Sequence, residues 1–127
     1  MKNKEDLRVV GRDEFYDLVT AHWKDREGDE VLDLSGCLFK DFYLSGMTFE
    51  KVDLPGSVFE ECILDGVKVS HTDLSRNVFY YSFLRDASFE KTKVQGAKFL
   101  HCNFLRSSFA NTDHEAALFR ACVFDFD

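Results

Sequence analysis

Residues 72–101 read TDLSR NVFYY SFLRD ASFEK TKVQG AKFLH, six blocks of five built on one plan. The third residue of each block is large and apolar: Leu74, Phe79, Leu84, Phe89, Val94 and Phe99. The first is smaller: Thr72, Asn77, Ser82, Ala87, Thr92 and Ala97. A helix brings side chains round every 3.6 residues and a strand every 2, so neither holds a strict step of five on one face. A large and a small residue, both pointing inward, suit a narrow tube to which each block adds one short strand and one turn.

The pattern extends in both directions. From Leu34 to Phe124 the five-step passes through nineteen positions, of which eighteen are Leu, Val or Phe and one is His114. The column two residues earlier, Leu32 to Cys122, is mostly small from Ser57 onward. With four blocks per coil, residues twenty apart stack. Phe39, Phe59, Phe79, Phe99 and Phe119 then form a ladder, and Leu34, Leu54, Leu74 and Val94 form the next column. Leu54-Pro55-Gly56-Ser57 carries a type II turn signature, Pro fixing its φ and Gly supplying a positive one. Gly36, Gly46, Gly56, Gly66 and Gly96 all fall two residues after a centre.

The segments TDLSR, GAKFL, DASFE and RSSFA resemble the A(D/N)LXX pattern of pentapeptide-repeat proteins over residues 31–127. The resemblance implies an all-β, right-handed quadrilateral β-helix of nearly five coils. Residues 1–30 form a separate N-terminal segment. In it Phe15, Leu18, Val19, His22 and Trp23 lie at helical spacing. The expected helix covers about 13–26, with Asp13 as N-cap and Gly28 as stop, and it caps the first coil with Phe15 and Trp23. Leu7 to Val10 add a short strand. At the other end, Phe109, Phe124 and Phe126 sit at an edge with no helix to cover them, and members of the family dimerise through this end. An end-to-end homodimer through the C-terminal coil is therefore expected.

The chain has 127 residues, a net charge of -7 and a pI near 5.0. That charge disfavours direct binding to a nucleic-acid backbone. No signal-peptide core or membrane-length apolar run is present, so a cytoplasmic protein with no membrane contact is expected. Cys37, Cys62, Cys102 and Cys122 all occupy the small inward column and read as packing residues. His22, His71, His101 and His114 do not converge, which gives no metal site or cofactor. His71 and His101 are expected at exposed turns, and His114 inside the last coil. No nucleophile–base arrangement or cleft is indicated, so the expected protein is not an enzyme.

Two outward features remain. Asp33, Asp53, Asp73 and Asp113 stack on one face, interrupted by Lys93. Resemblance to the quinolone-resistance members, described as DNA mimics, implies a gyrase-directed role for such a stripe; the competing reading is that Asp supports the backbone there. The second feature is an apolar strip on two neighbouring faces, centred on Tyr43, Ile63, Val78, Tyr80, Tyr81 and Phe83, with Tyr80 and Tyr81 in turns. A strip of this size exceeds scattered surface hydrophobics, and it marks a protein-binding patch. The expected function is a non-enzymatic scaffold presenting flat solenoid faces to a protein partner. Bacterial family members of this size also imply an immunity or antitoxin-like inhibitor as an alternative.

Overall fold

The structure, a computed structural model, describes residues 6–24 and 30–125. It is a parallel β-solenoid of about four turns with one helix at its N-terminal end. Four faces form, each from residues twenty apart. Strands Cys37–Lys40, Val58–Glu60, Val78–Tyr80, Lys98–Leu100 and Leu118–Arg120 pair in parallel on the Phe39 face. Thr48–Glu50, Lys68–Ser70 and Ser88–Glu90 make the Phe49 face, extended by a bridge from Ser88 to Ser108. The other two faces are narrower. On one, Tyr43, Ile63, Phe83, Asn103 and Val123 bridge in sequence; on the other, Asp33, Asp53, Asp73 and Lys93 do.

Corners alternate between two kinds. After Leu44, Leu54, Leu64, Leu74, Leu84, Val94 and Phe104 the chain closes a β-turn, as in the bond from Ser57 N–H to the Leu54 carbonyl at 3.1 Å. Gly56 there has φ +71°, the left-handed value the Pro55-Gly56 pair anticipates. The intervening corners also take positive φ without glycine, at Asp41, Lys51, Glu61, His71, Tyr81, Lys91 and His101 among others. Six of these seven named corners are held by the coil beyond: Asp41 N–H donates to Glu60 O at 2.9 Å, for example, and Glu61 N–H to Tyr80 O at 2.9 Å. Repetition of that bond carries a conformation that L-residues otherwise disfavour.

Phe39, Phe59, Phe79, Phe99 and Phe119 stack with centroids 4.6, 4.6, 4.8 and 5.0 Å apart, the spacing of hydrogen-bonded strands. The ladder continues past the first coil. α1 (Arg12–Lys24) places Phe15 4.5 Å from Phe39, where an earlier coil would set its ring. Phe15 and Val19 are fully buried, and β1 (Arg8–Val9) pairs with Cys37 and Leu38 as an extra edge strand. The helix starts one residue before Asp13, with the Gly11 carbonyl accepting from Phe15 N–H at 2.9 Å, so Asp13 lies in the first turn and is no N-cap. Leu18 is exposed and Trp23 half-buried, so the fully buried face of the helix is Phe15 and Val19. Gly28 and Phe126 lie outside the described residues.

The small inward column also repairs hydrogen bonds. Cys37 N–H donates to Ser57 Oγ at 3.0 Å, Cys62 N–H to Ser82 Oγ at 3.2 Å and Thr92 N–H to Thr112 Oγ1 at 3.2 Å. Ser57 Oγ passes its own hydrogen to Leu34 O at 3.1 Å. A polar side chain of this kind is thus satisfied inside the core. Asn77 fills the same role through Oδ1 toward Ser57 N–H at 3.2 Å, but its Nδ2 is left without a partner. The cysteines behave alike: Cys62 and Cys102 thiols point to the carbonyls of Phe39 and Phe79, each at 3.5 Å. None of the four forms a disulfide, and burial pushes the Cys62 thiol up to about 11 and the Cys102 thiol to about 12. They are packing groups rather than reactive ones.

On the Phe49 face one rung is short. Val69 stands between Phe49 and Phe89, and an apolar cavity of about 20 Å³ opens beside it, lined also by Phe59 and Phe79. Val69→Leu should fill that gap and raise stability by about 0.5–1 kcal/mol. Urea denaturation followed by circular dichroism measures it, and a lower midpoint would show that the core cannot accept the extra methylene.

Candidate functional site

Two adjoining faces carry the apolar strip, and the corner between them is its ridge. On the Leu44 face the outward column is Tyr43, Ile63, Phe83, Asn103 and Val123, one residue per coil. Tyr43 is 62% exposed, Phe83 41% and Val123 48%, while Ile63 and Asn103 are half-buried. On the Phe39 face the outward column is Leu38, Val58, Val78, Lys98 and Leu118, aliphatic apart from Lys98, and β1 adds Val9 above it. Val78 and Tyr80 are half-buried, because side chains on a flat parallel sheet cover one another. Tyr80 ends the strand Val78–Tyr80 and is not in a turn.

The ridge runs Asp41, Glu61, Tyr81, His101 and Ala121, all exposed and all at left-handed φ between 49° and 59°. Their N–H groups donate in order to Glu60, Tyr80, Leu100 and Arg120 for the first four, so the column is straight and rigid. Tyr81 and His101 stack face to face, centroids 4.7 Å apart and planes 2° apart. That pairing was legible only as a twenty-residue spacing between two rings. On the far corner of the Leu44 face, charges cancel locally. Arg85 grips Asp65 through Nε at 3.1 Å and Nη2 at 2.5 Å, and its guanidinium lies 4.9 Å from the Phe83 ring centre. Arg106 pairs with Asp86 at 2.7 Å, and its N–H donates to Asp125 at 2.8 Å.

The acidic column is shorter than the sequence implied. Asp33, Asp53 and Asp73 do stack, and Lys93 follows. Asp113 does not join them. It precedes a 3-10 turn, His114–Ala116, and Gly96 N–H shifts to Ala116 O, one residue beyond the carbonyl that equivalent corners use. The same turn carries His114 to an exposed position 5.3 Å from Phe109, outside the last coil rather than within it. Asp33 accepts from both the N–H and the hydroxyl of Ser35, and Asp73 accepts from Ser75 N–H at 2.8 Å. Both acids are thus turn supports. Asp53 lies between them, and burial, then the charge of Asp73, raises its pKa.

At the C-terminal end Phe109, Phe119 and Phe124 are half-buried. Phe124 stacks on Phe104 at 5.1 Å and meets Phe119 edge-on at 5.2 Å. Among the described residues, no group of three His, Cys, Asp or Glu side chains is placed to hold a metal, and no helix is long and apolar enough to cross a membrane.

Residues 43–79, in the middle of these coils, match the family model for pentapeptide repeats in eight copies. The chain carries pentapeptide repeats. Proteins built on this repeat are in general non-enzymatic structural or binding proteins. Comparison with curated proteins returned no match. Similar solved structures include a trypsin-treated variant of QnrB1, a plasmid-mediated fluoroquinolone resistance protein. It is 15% identical with a TM-score of 0.41, covering 67% of this chain and 54% of that one. Rfr23, a pentapeptide-repeat protein from the cyanobacterium Cyanothece 51142, is 13% identical with a TM-score of 0.34, covering 87% and 95%. HetL, involved in heterocyst differentiation regulation in the cyanobacterium Nostoc, is 16% identical with a TM-score of 0.28, covering 68% and 46%. The chain thus spans about half the length of this trypsin-treated QnrB1 variant and of HetL.

The raised pKa of Asp53 has a stability consequence. A folded-state pKa above the unfolded value of 3.8 means that ionised Asp53 opposes folding at neutral pH and ceases to do so once protonated. Asp53→Asn should raise the thermal midpoint at pH 7, with the gain disappearing as the pH falls below 3.8. A gain that persists at pH 3 would assign the effect to something other than the carboxylate charge.

Proposed function

We propose that this pentapeptide-repeat protein is a non-enzymatic scaffold that binds a protein through the two-face strip. The observation that carries it is the ridge column and its flank. Tyr43, Tyr81, Phe83 and Val123 stand exposed on a backbone fixed at every coil by hydrogen bonds. Rigid aromatic anchors lose little freedom on contact, and aromatic residues dominate the energetics of protein interfaces. The local ion pairs Asp65–Arg85 and Asp86–Arg106 give the strip a polar rim on one side. The cavity beside Val69 is small and lined by apolar side chains rather than by convergent polar groups, which supports a role in binding rather than catalysis.

A DNA-mimicking, gyrase-directed role draws less support. Of the three stacked acids, Asp33 and Asp73 are engaged with their own turns, and Lys93 ends the column. An immunity or antitoxin-like role would use the same strip and differs only in the identity of the partner.

The test compares the wild-type chain with a Tyr81→Ala/Phe83→Ala double variant in quantitative affinity capture from the native cell extract. A protein retained by the wild type should be lost by about tenfold or more from the variant, as for hot-spot aromatics. Recovery of the same protein at equal yield would remove the strip from the account.

A further inference from the structure

The strip has an internal charge order that selects one kind of partner. We propose that the Leu44 face, with its ridge, docks on the same face of a second copy, the two solenoids running antiparallel about a two-fold axis at the level of Tyr81 and Phe83. This rests on the reading that the strip is an interaction surface and names its occupant.

The ridge reads acid, acid, aromatic, imidazole, methyl: Asp41, Glu61, Tyr81, His101, Ala121. Its order is unsymmetrical in charge about Tyr81. An antiparallel copy turns that order over, so Glu61 faces the second copy's His101 and Tyr81 faces Tyr81. Asp41 falls opposite the second copy's Ala121, beside its Arg120. The outward column of the Leu44 face turns over in the same way. Tyr43 then meets Val123 and Phe83 meets Phe83, each already among the most exposed apolar side chains, while the half-buried Ile63 and Asn103 fall opposite each other. An isologous contact requires such self-complementarity.

A parallel arrangement of the two ridges fails on charge. A copy running parallel sets Glu61 against Glu61 and Asp41 against Asp41, and like charges brought together at an interface are strongly disfavoured. The whole-chain charge of -7 repels a second copy in either direction, but salt screens it beyond about 8 Å, whereas the ridge pairs lie in contact. Arg85 sits near the axis opposite itself, and its charge is already taken by Asp65 while its plane covers Phe83. Coils rising about 4.8 Å each make a face only about 20 Å tall over five levels. An interface of that size belongs to the weak, transient class.

Sedimentation velocity over a concentration series reads the outcome, with circular dichroism confirming that each variant is folded. The wild type should form dimers, and Glu61→Lys or His101→Glu alone should weaken them by about tenfold. The Glu61→Lys/His101→Glu double variant should regain dimerisation, because the swapped charges face each other again across the axis. A wild type that stays monomeric at several hundred micromolar would overturn the proposal. So would a dimer whose singles are weakened and whose double is not restored, or one that ignores all three variants and is lost with Phe119→Asp at the C-terminal layer. A monomeric wild type that still loses its captured partner on Tyr81→Ala/Phe83→Ala would defeat the dimer alone and leave the scaffold reading standing.

Discussion

Each coil of this protein donates its backbone N–H groups to carbonyls nineteen residues on at the corners and receives bonds from the coil before. Leu34 to Asp53, Leu54 to Asp73 and Leu74 to Lys93 show the rule at 2.8 Å each. Once that bond is repeated, residues twenty apart have no freedom to do anything but stack. The phenylalanine ladder, the straight ridge and the row of left-handed corners all follow from it. Strand pairing supplies the spacing, and ring stacking fits it, since 4.6–5.0 Å between centroids suits both.

The same constraint explains how function is placed. Inward positions are committed to packing and to repairing N–H groups, which is why cysteine, serine and threonine there are chemically quiet. Outward positions are free to vary, but whatever they carry is set in columns. A single change of residue therefore alters one rung of a column and leaves the backbone alone. Apolar rungs accumulate on the Phe39 and Leu44 faces, while the other two carry mainly Thr, Ser, Lys and Asp at the same positions.

The five-step was legible because eighteen of its nineteen positions are large and apolar, His114 alone interrupting them, and Pro55-Gly56 fixed the turn that joins one block to the next. The column positions of Tyr43, Phe83 and Val78 followed by counting. What counting could not supply was local. The stretch before the last Phe39-face strand keeps its total of twenty residues, since Lys98 still pairs with Leu118, yet spends them differently. The 3-10 turn that displaces Asp113 and His114 leaves no trace in the spacing. Helical periodicity likewise put Leu18 on the inner face, but the fully buried residues of the helix are Phe15 and Val19, and Leu18 faces out. The bonds made by Ser57, Ser82 and Thr112 were also missed. Their signal was present, in that the small column favours residues with an acceptor as well as small size.

Unequal deletions test the twenty-residue constraint most directly, read as thermal unfolding by circular dichroism. Removing residues 65–84 takes out one whole coil and returns every column to register. Removing residues 65–69 turns all that follows by one face, so that β-turn corners meet bends and the phenylalanine ladder is cut. The account predicts one cooperative β-type transition for the longer deletion and loss of cooperative unfolding for the shorter. A five-residue deletion as stable as the twenty-residue one would contradict it.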